Sequence, residues 1–308
     1  MAQTLTIDDT FAEAFPMSAT RVIITALDAE LVSAAAQEFC GNASSVIGCD
    51  TEAGVERILP AEETPDGRPG VSILAFGFKS KSLQAAVVSR IGQNVLTCPT
   101  TACYCGLFSE SKDQQIRVGG QLRYFGDGFQ ISKKLGSRRF WRLPVMDGEF
   151  LCEDFFGTVK GIGGGNLIFC GVSQLAALNA ARAAANAIRQ IPDVIMPFPA
   201  GIVRSGSKVG SKYPQLKAST NDKFCPTLVG QTETSLAASE NAVYEIVIDG
   251  LSASAVAKAM QAGLDAAAAS PGMVRITAGN YGGKLGPHHF HLHRLQDMMM
   301  STVLSSTS

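Results

Sequence analysis

The chain is short of charge. Only 17% of its 308 residues are Asp, Glu, Lys or Arg, and 26 basic against 27 acidic residues leave a formal net charge of −1. Its overall electrostatics therefore favour neither nucleic acid nor an anionic membrane as a partner. The stretch Met1 to Asp9 lacks the basic and apolar regions of a secretory signal. No apolar run approaches the roughly 18 residues of a membrane span. The Ala-rich stretch 175–188 is interrupted by Asn179, Arg182 and Asn186. A cytoplasmic protein is expected. The eight cysteines are scattered, and the one close pair, Cys103 and Cys105, has neither a zinc-knuckle nor a redox spacing. Reduced thiols serving as small buried hydrophobes are the expectation. Histidine is scarce as well: His288, His289, His291 and His293 are the whole set. On one strand the last three would share a face, which suggests zinc. No histidine elsewhere completes such a site, so a polar strand face or a subunit contact is the reading preferred, and no metal is expected.

What the chain does have is a 46% hydrophobic content, ordinary for a protein with a sizeable core. Strand patterns are read at 21–26, 45–48, 71–76, 94–97, 149–153, 166–171, 193–196, 243–248, 273–277 and 288–293. Helix patterns are read at 28–39, 80–91, 173–190 and 252–268. A Pro- and Gly-dense loop occupies 60–70, an extended hairpin is expected within 98–150, and a long loop fills 197–241.

The two series of elements match one another. Asp9-Thr10-Phe11 recurs as Asp154-Phe155-Phe156, strand 22–26 falls on 167–171, and Val71–Phe76 falls on Val243–Ile248. The fold class expected is α+β. Two similar lobes arise by internal duplication, each a mostly antiparallel sheet with helices packed on one face, a ferredoxin-like arrangement. The lobes are placed at 1–148 and 149–297, with 298–308 a frayed tail.

Within this pattern Val243-Tyr244-Glu245-Ile246-Val247-Ile248 sets a carboxylate among aliphatic neighbours. Such a group must find a partner, reach a solvated cleft, or have its pKa raised by desolvation. A structural ion pair or an edge-strand glutamate facing water would also produce the pattern. The repeat alignment puts Ile73 opposite Glu245, so one copy breaks the apolar rule, as functional sites do. Upstream, Ser205-Gly-Ser-Lys208-Val-Gly-Ser211-Lys212 offers backbone N–H groups and positive charge without Walker spacing, and Asn221-Asp222 adds side-chain donors and an acceptor. A flexible surface loop is the plainer alternative. Gly161–Asn166 leads into a strand rather than opening a helix, so dinucleotide binding is rejected. Lys133, Lys134, Arg138, Arg139 and Arg142 crowd a turn. This is either a solvated hairpin tip or a grip for a polyanionic tail.

These segments together resemble the formylmethanofuran–tetrahydromethanopterin formyltransferase family, including its bacterial relative in the formyltransferase/hydrolase complex of methylotrophs. The resemblance rests on Asp9–Phe15, Glu62–Gly70, Arg90–Gln93, Phe125–Gly128, Gly164–Asn166, Ser207–Lys212, Ala218–Asp222, Val243–Ile248 and Ala278–Gly286, spread over nearly the whole chain. It implies reversible formyl transfer between a furfurylamine nitrogen and N5 of a tetrahydropterin, with the two carriers as co-substrates and no tightly bound cofactor. It further implies a homo-oligomer such as a tetramer, and hydrolase-type partner subunits. Glu245 matches the family's acidic active-site residue. Lys208, Ser211, Lys212, Asn221 and Asp222 become candidates for substrate contacts, and Lys133, Lys134, Arg138 and Arg139 for the carrier's tail. The hairpin tip departs from the archaeal pattern by being basic, which suits a bacterial member. A non-catalytic assembly subunit and a zinc amidohydrolase are the competing readings.

Overall fold

The computed structural model describes residues 5–300. In chain order its strands and α-helices begin with β1 (Thr6–Ile7), β2 (Phe11–Thr25), α1 (Ala29–Cys40), β3 (Glu52–Leu59), β4 (Gly70–Gly77) and α2 (Ser80–Arg90). Next come β5 (Ala102–Cys105), β6 (Gln115–Arg117), α3 (Gly119–Leu122), β7 (Ile131–Leu135), β8 (Arg138–Val145), β9 (Gly148–Glu153) and β10 (Phe155–Gly157). Then follow β11 (Val159–Gly171), α4 (Gln174–Ile188), β12 (Val194–Ile195), β13 (Ser207–Val209) and β14 (Ala218–Thr220). The last are β15 (Ala242–Gly250), α5 (Ala253–Ala268), β16 (Met273–Thr277), β17 (His288–His291) and α6 (Leu295–Met300). By internal contacts they form two compact units, one of Met17–Gly161 and one joining the N-terminal arm up to Pro16 with the chain from Ile162 onward.

In the Met17–Gly161 unit the antiparallel order is β3-β4-β2-β5, with Val22 opposite Ile73 on one side and Cys105 on the other. β9 extends this sheet in parallel to β5, and β8 and β7 complete a meander. Helix α1 starts where the Asp28 carboxylate accepts the Leu31 N–H at 2.9 Å. Val32, Phe39, Leu83 and Val87 pack with Val22, Ile24 and Ile73 in one core. Each fully buried aliphatic or aromatic side chain of this kind stabilises by about 1.5–3 kcal/mol.

In the other unit the antiparallel order is β12-β15-β11-β16, with Ile168 between Glu245 and Thr277. β1 adds a parallel edge to β16. Ser173 and Ser252 cap α4 and α5. The Ala-rich faces of these helices close tightly on Leu167, Phe169, Ile246 and Ile248. A methyl added at Gly263 would sit 2.8 Å from the Ile188 side chain. The architecture is thus mixed α and β with mostly antiparallel pairing.

Several local expectations are corrected. Residues 45–48 are turns rather than a strand, because the Glu52 carboxylate accepts the Val46 N–H at 3.0 Å and holds the segment folded. Residues 94–97 are not a strand either, since Ile91–Val95 carries α2 into a π turn with Ile91 and Val95 buried. The strand expected over 288–293 ends at His291. The tail does not fray at Asp297: α6 continues to Met300, and Met298 and Met299 pack on the core. Residues 301–308 of the expected tail lie outside the described residues. The boundary expected at 148/149 falls at the start of β9, which bonds to β5 and β8. Among the described residues no helix is long and apolar enough to cross a membrane.

Candidate active site

Strand alternation decides where Glu245 points. Ile246 and Ile248 enter the core beneath α4 and α5, so Glu245 lies on the opposite face. There it lines a small open cleft with Ile168, Val203, Arg204, Gly206, Asn221 and Phe224. Its backbone is locked to Val203 by a reciprocal pair of N–H to carbonyl bonds of 2.7 and 3.0 Å. Its carboxylate makes no hydrogen bond or ion pair among the described residues. Desolvation, uncompensated, pushes it from the ordinary 4.5 up to about 7. A carboxyl near neutrality can take a proton from one nitrogen and hand it to another. The repeat argument that led to Glu245 is corrected in its detail. Ile73 faces the helix-side core and Glu245 does not, so the two are not equivalent positions.

The other candidates group unevenly around this carboxylate. Asn221 lines the cleft and donates its N–H to the Gly206 carbonyl at 3.1 Å. Gly206 has a φ of +42°, and a Cβ built on it would lie 3.9 Å from Glu245 Oε2 and 3.6 Å from the Asn221 side chain. Lys208 on β13 donates to Asp222 Oδ2 at 2.6 Å, across the base of the β13–β14 hairpin. That contact holds the Asp222 carboxyl below the usual carboxylate range. Ser211 accepts the Tyr213 N–H at 3.0 Å, and Lys212 is exposed in the loop that joins β13 to β14. Neither Ser211 nor Lys212 lines the Glu245 cleft.

The basic tip separates into two kinds of residue. Arg138 grips the buried Glu153 with bonds of 2.7 and 2.5 Å, and Arg139 donates to Ser132 Oγ at 2.8 Å while lying 3.8 Å from Asp154. Both guanidinium groups are engaged within the unit. Lys133 and Lys134 on β7 are exposed and make no ion pair among the described residues.

The histidines do not converge. His289 and His291 flank the Phe11 ring at 4.7 and 5.1 Å, while His293 meets the Ile7 carbonyl at 3.1 Å. Among the described residues no group of three His, Cys, Asp or Glu side chains is placed to hold a metal.

Sequence reasoning missed three residues. Arg204 lines the cleft as an exposed cation, and its place between two loop residues gave no pattern. Tyr281, on the Gly-rich segment 278–286, donates its hydroxyl to the Ser207 carbonyl at 3.2 Å. Glu13 organises that same segment. Its buried carboxylate accepts N–H groups from Tyr281 at 2.7 Å, Gly283 at 3.2 Å, Gly286 at 2.8 Å and also Leu285. A glutamate within an alternating strand carries no sign of such partners.

Together these features place one desolvated carboxylate, without a side-chain partner among the described residues, in a cleft lined by Gly206 and Asn221. Comparison with known proteins gives it a family. Residues 1–145 match the family profile described as formylmethanofuran-tetrahydromethanopterin formyltransferase, and residues 148–295 match its proximal lobe. The formylmethanofuran–tetrahydromethanopterin formyltransferase of Methylococcus capsulatus is 58% identical, over 94% of this chain and 97% of the relative. The solved formyltransferase of Methanosarcina barkeri superposes with a TM-score of 0.89 at 47% identity, covering 94% of this chain and 98% of that one. A chain in the formyltransferase/hydrolase complex of Methylorubrum extorquens, solved with methylofuran, has a TM-score of 0.89 at 49% identity, covering 95% and 96%. The chain belongs to the formylmethanofuran–tetrahydromethanopterin formyltransferase family.

Proposed function

We propose that the protein is a formyltransferase of one-carbon metabolism. It moves a formyl group reversibly between N5 of tetrahydromethanopterin, or its dephospho form, and the amine of methanofuran or methylofuran. The observation that carries this reading is the Glu245 carboxylate, without a side-chain partner among the described residues and with its pKa raised by desolvation to about 7, in the cleft of a chain with this family membership. The attacking amine nitrogen bonds to the formyl carbon, and the carbonyl electron pair moves onto oxygen. Glu245 takes the proton from the attacking nitrogen and delivers it to the leaving one as the old C–N bond breaks and the carbonyl reforms. Donors beside the cleft stabilise the oxyanion. Asn221 and Arg204 line it, whereas Ser211 and Lys212 are better suited to outlying substrate contacts. Lys208 and Asp222 shape the hairpin on which those contacts ride.

The tetrahydropterin and the furfurylamine carrier are co-substrates, and no tightly bound cofactor is required by this chemistry. Partners of the hydrolase type, as in the Methylorubrum complex, and self-association are part of the proposal, as is a cytoplasmic location. The shared strand orders β3-β4-β2-β5 and β12-β15-β11-β16 support descent of the two lobes, 1–148 and 149–297, from a duplicated ferredoxin-like unit. The exposed lysines of β7 are assigned to an anionic carrier tail.

Formyl transfer from formyl-tetrahydromethanopterin to a furfurylamine carrier, followed with the purified protein alone and with hydrolase-type subunits, tests the reading. Transfer that requires this chain supports it. A folded protein that transfers no formyl group in either setting would instead leave the assembly-subunit reading standing.

A further inference from the structure

We propose that Glu13 is a positioning residue for the Glu245 cleft, acting through Tyr281. The inference rests on the reading of Glu245 as the proton shuttle and adds the device that holds the wall of its cleft in place. Three stretches far apart in sequence meet around one loop. Asn166 brackets Gly279, accepting its N–H at 2.6 Å and donating to its carbonyl at 3.2 Å. Asn280 donates to the Thr10 hydroxyl and the Phe11 carbonyl, each at 3.1 Å. Gly282 and Gly283, with φ of +67° and +76°, turn the chain so that successive N–H groups face inward. The charge that fills this concavity is the chain's own Glu13, with its four N–H donors from Tyr281, Gly283, Leu285 and Gly286. Gly286 admits no side chain, since a Cβ would lie 2.1 Å from the Ala14 carbonyl oxygen.

The loop exports its order through one side chain. The Tyr281 hydroxyl reaches the Ser207 carbonyl at 3.2 Å. Ser207 follows Gly206, the residue lying against Glu245 and bonded through its carbonyl to Asn221. The path runs from the Glu13 carboxylate to the Tyr281 backbone, from its phenol to Ser207, and from there to the wall of the cleft. Four bonds to a buried carboxylate make a firm anchor, whereas a single bond from a phenol 37% exposed is the link most easily cut. Loss of either end should let Gly206 move away and admit water to Glu245.

Glu13→Gln keeps the shape but turns an amide NH2 toward backbone N–H donors. Tyr281→Phe removes one hydroxyl from an exposed ring and leaves the fold intact. Both are assayed for formyl transfer over a range of pH, with Glu245→Gln alongside. Expected for each is a kcat about tenfold or more below native and an acidic limb displaced toward the pH of an ordinary carboxylate. The double variant should lose no more than the worse single, because both cut one path. Should Glu13→Gln fail to fold, Tyr281→Phe decides alone. A Tyr281→Phe protein with native kcat and an unmoved pH profile overturns the proposal, as does full additivity of the two losses. A native rate for Glu245→Gln would sink the shuttle assignment separately, whatever the coupling between Glu13 and Tyr281.

Discussion

Lys208 and Asp222 form an ion pair of 2.6 Å across the base of the β13–β14 hairpin. The pair sorts the two carboxylates of this region by role. Asp222 is held ionised by its lysine, so it is a poor carrier of a proton at neutral pH. Glu245 has no side-chain partner among the described residues and has its pKa raised by desolvation to about 7, which suits it better to the proposed proton transfer.

Asp222→Asn should therefore lower kcat by well under the roughly hundredfold floor expected of an acid–base residue. The ion pair lies at the surface, where such pairs contribute little to stability, so the variant should melt close to native. Steady-state kinetics and thermal melts check this. A loss of kcat equal to that of Glu245→Gln would return Asp222 to the proton path.

Burying Glu245 unpaired has a cost in stability that depends on pH. Its folded pKa of about 7 lies above the free value of 4.5. The folded state thus binds the proton more tightly, and the group disfavours folding as pH rises through that window. Glu245→Gln should be more stable than native by up to about 3 kcal/mol above pH 7, with the gain vanishing toward pH 4. Denaturant melts at several pH values measure it. A variant less stable at high pH would mean that the carboxylate has a stabilising partner.

The basic hairpin divides into structural and free cations. Arg138→Ala leaves Glu153, 3% exposed, with the Cys105 N–H at 2.9 Å but without its guanidinium. It should cost about 2 kcal/mol or more. Lys133→Gln with Lys134→Gln should leave stability unchanged and raise KM for a long-tailed anionic carrier, with short-tailed carrier unaffected. Raised salt should mimic that effect. Equal KM values for both carriers before and after would remove the lysines from carrier recognition.

How much of this was legible in the sequence depends on range. The strand–helix alternation is a local signal, and it placed the four longer helices and most of the core strands. The pattern around Glu245 pointed to the right carboxylate, although the alignment to Ile73 misjudged the face by one residue, which in a strand is the whole difference between core and cleft. Residues 45–48 and 94–97 misled because short apolar runs look alike whether they become strand, turn or π helix. The role of Glu13 was out of reach, since its four donors come from residues more than 260 positions away. Tyr281 and Arg204 matter only through what three-dimensional packing brings beside them.

The account stands most directly on the pH dependence of formyl transfer in the native protein and in Glu245→Gln, measured as kcat/KM from pH about 5 to 9. The native profile should rise with pH and level off near 7, as the carboxylate becomes able to accept the amine proton. The folded variant should fall by about 10²–10⁴-fold and lose that inflexion. A folded Glu245→Gln protein that keeps the native rate and the native acidic limb would contradict the assignment and place the proton carrier elsewhere.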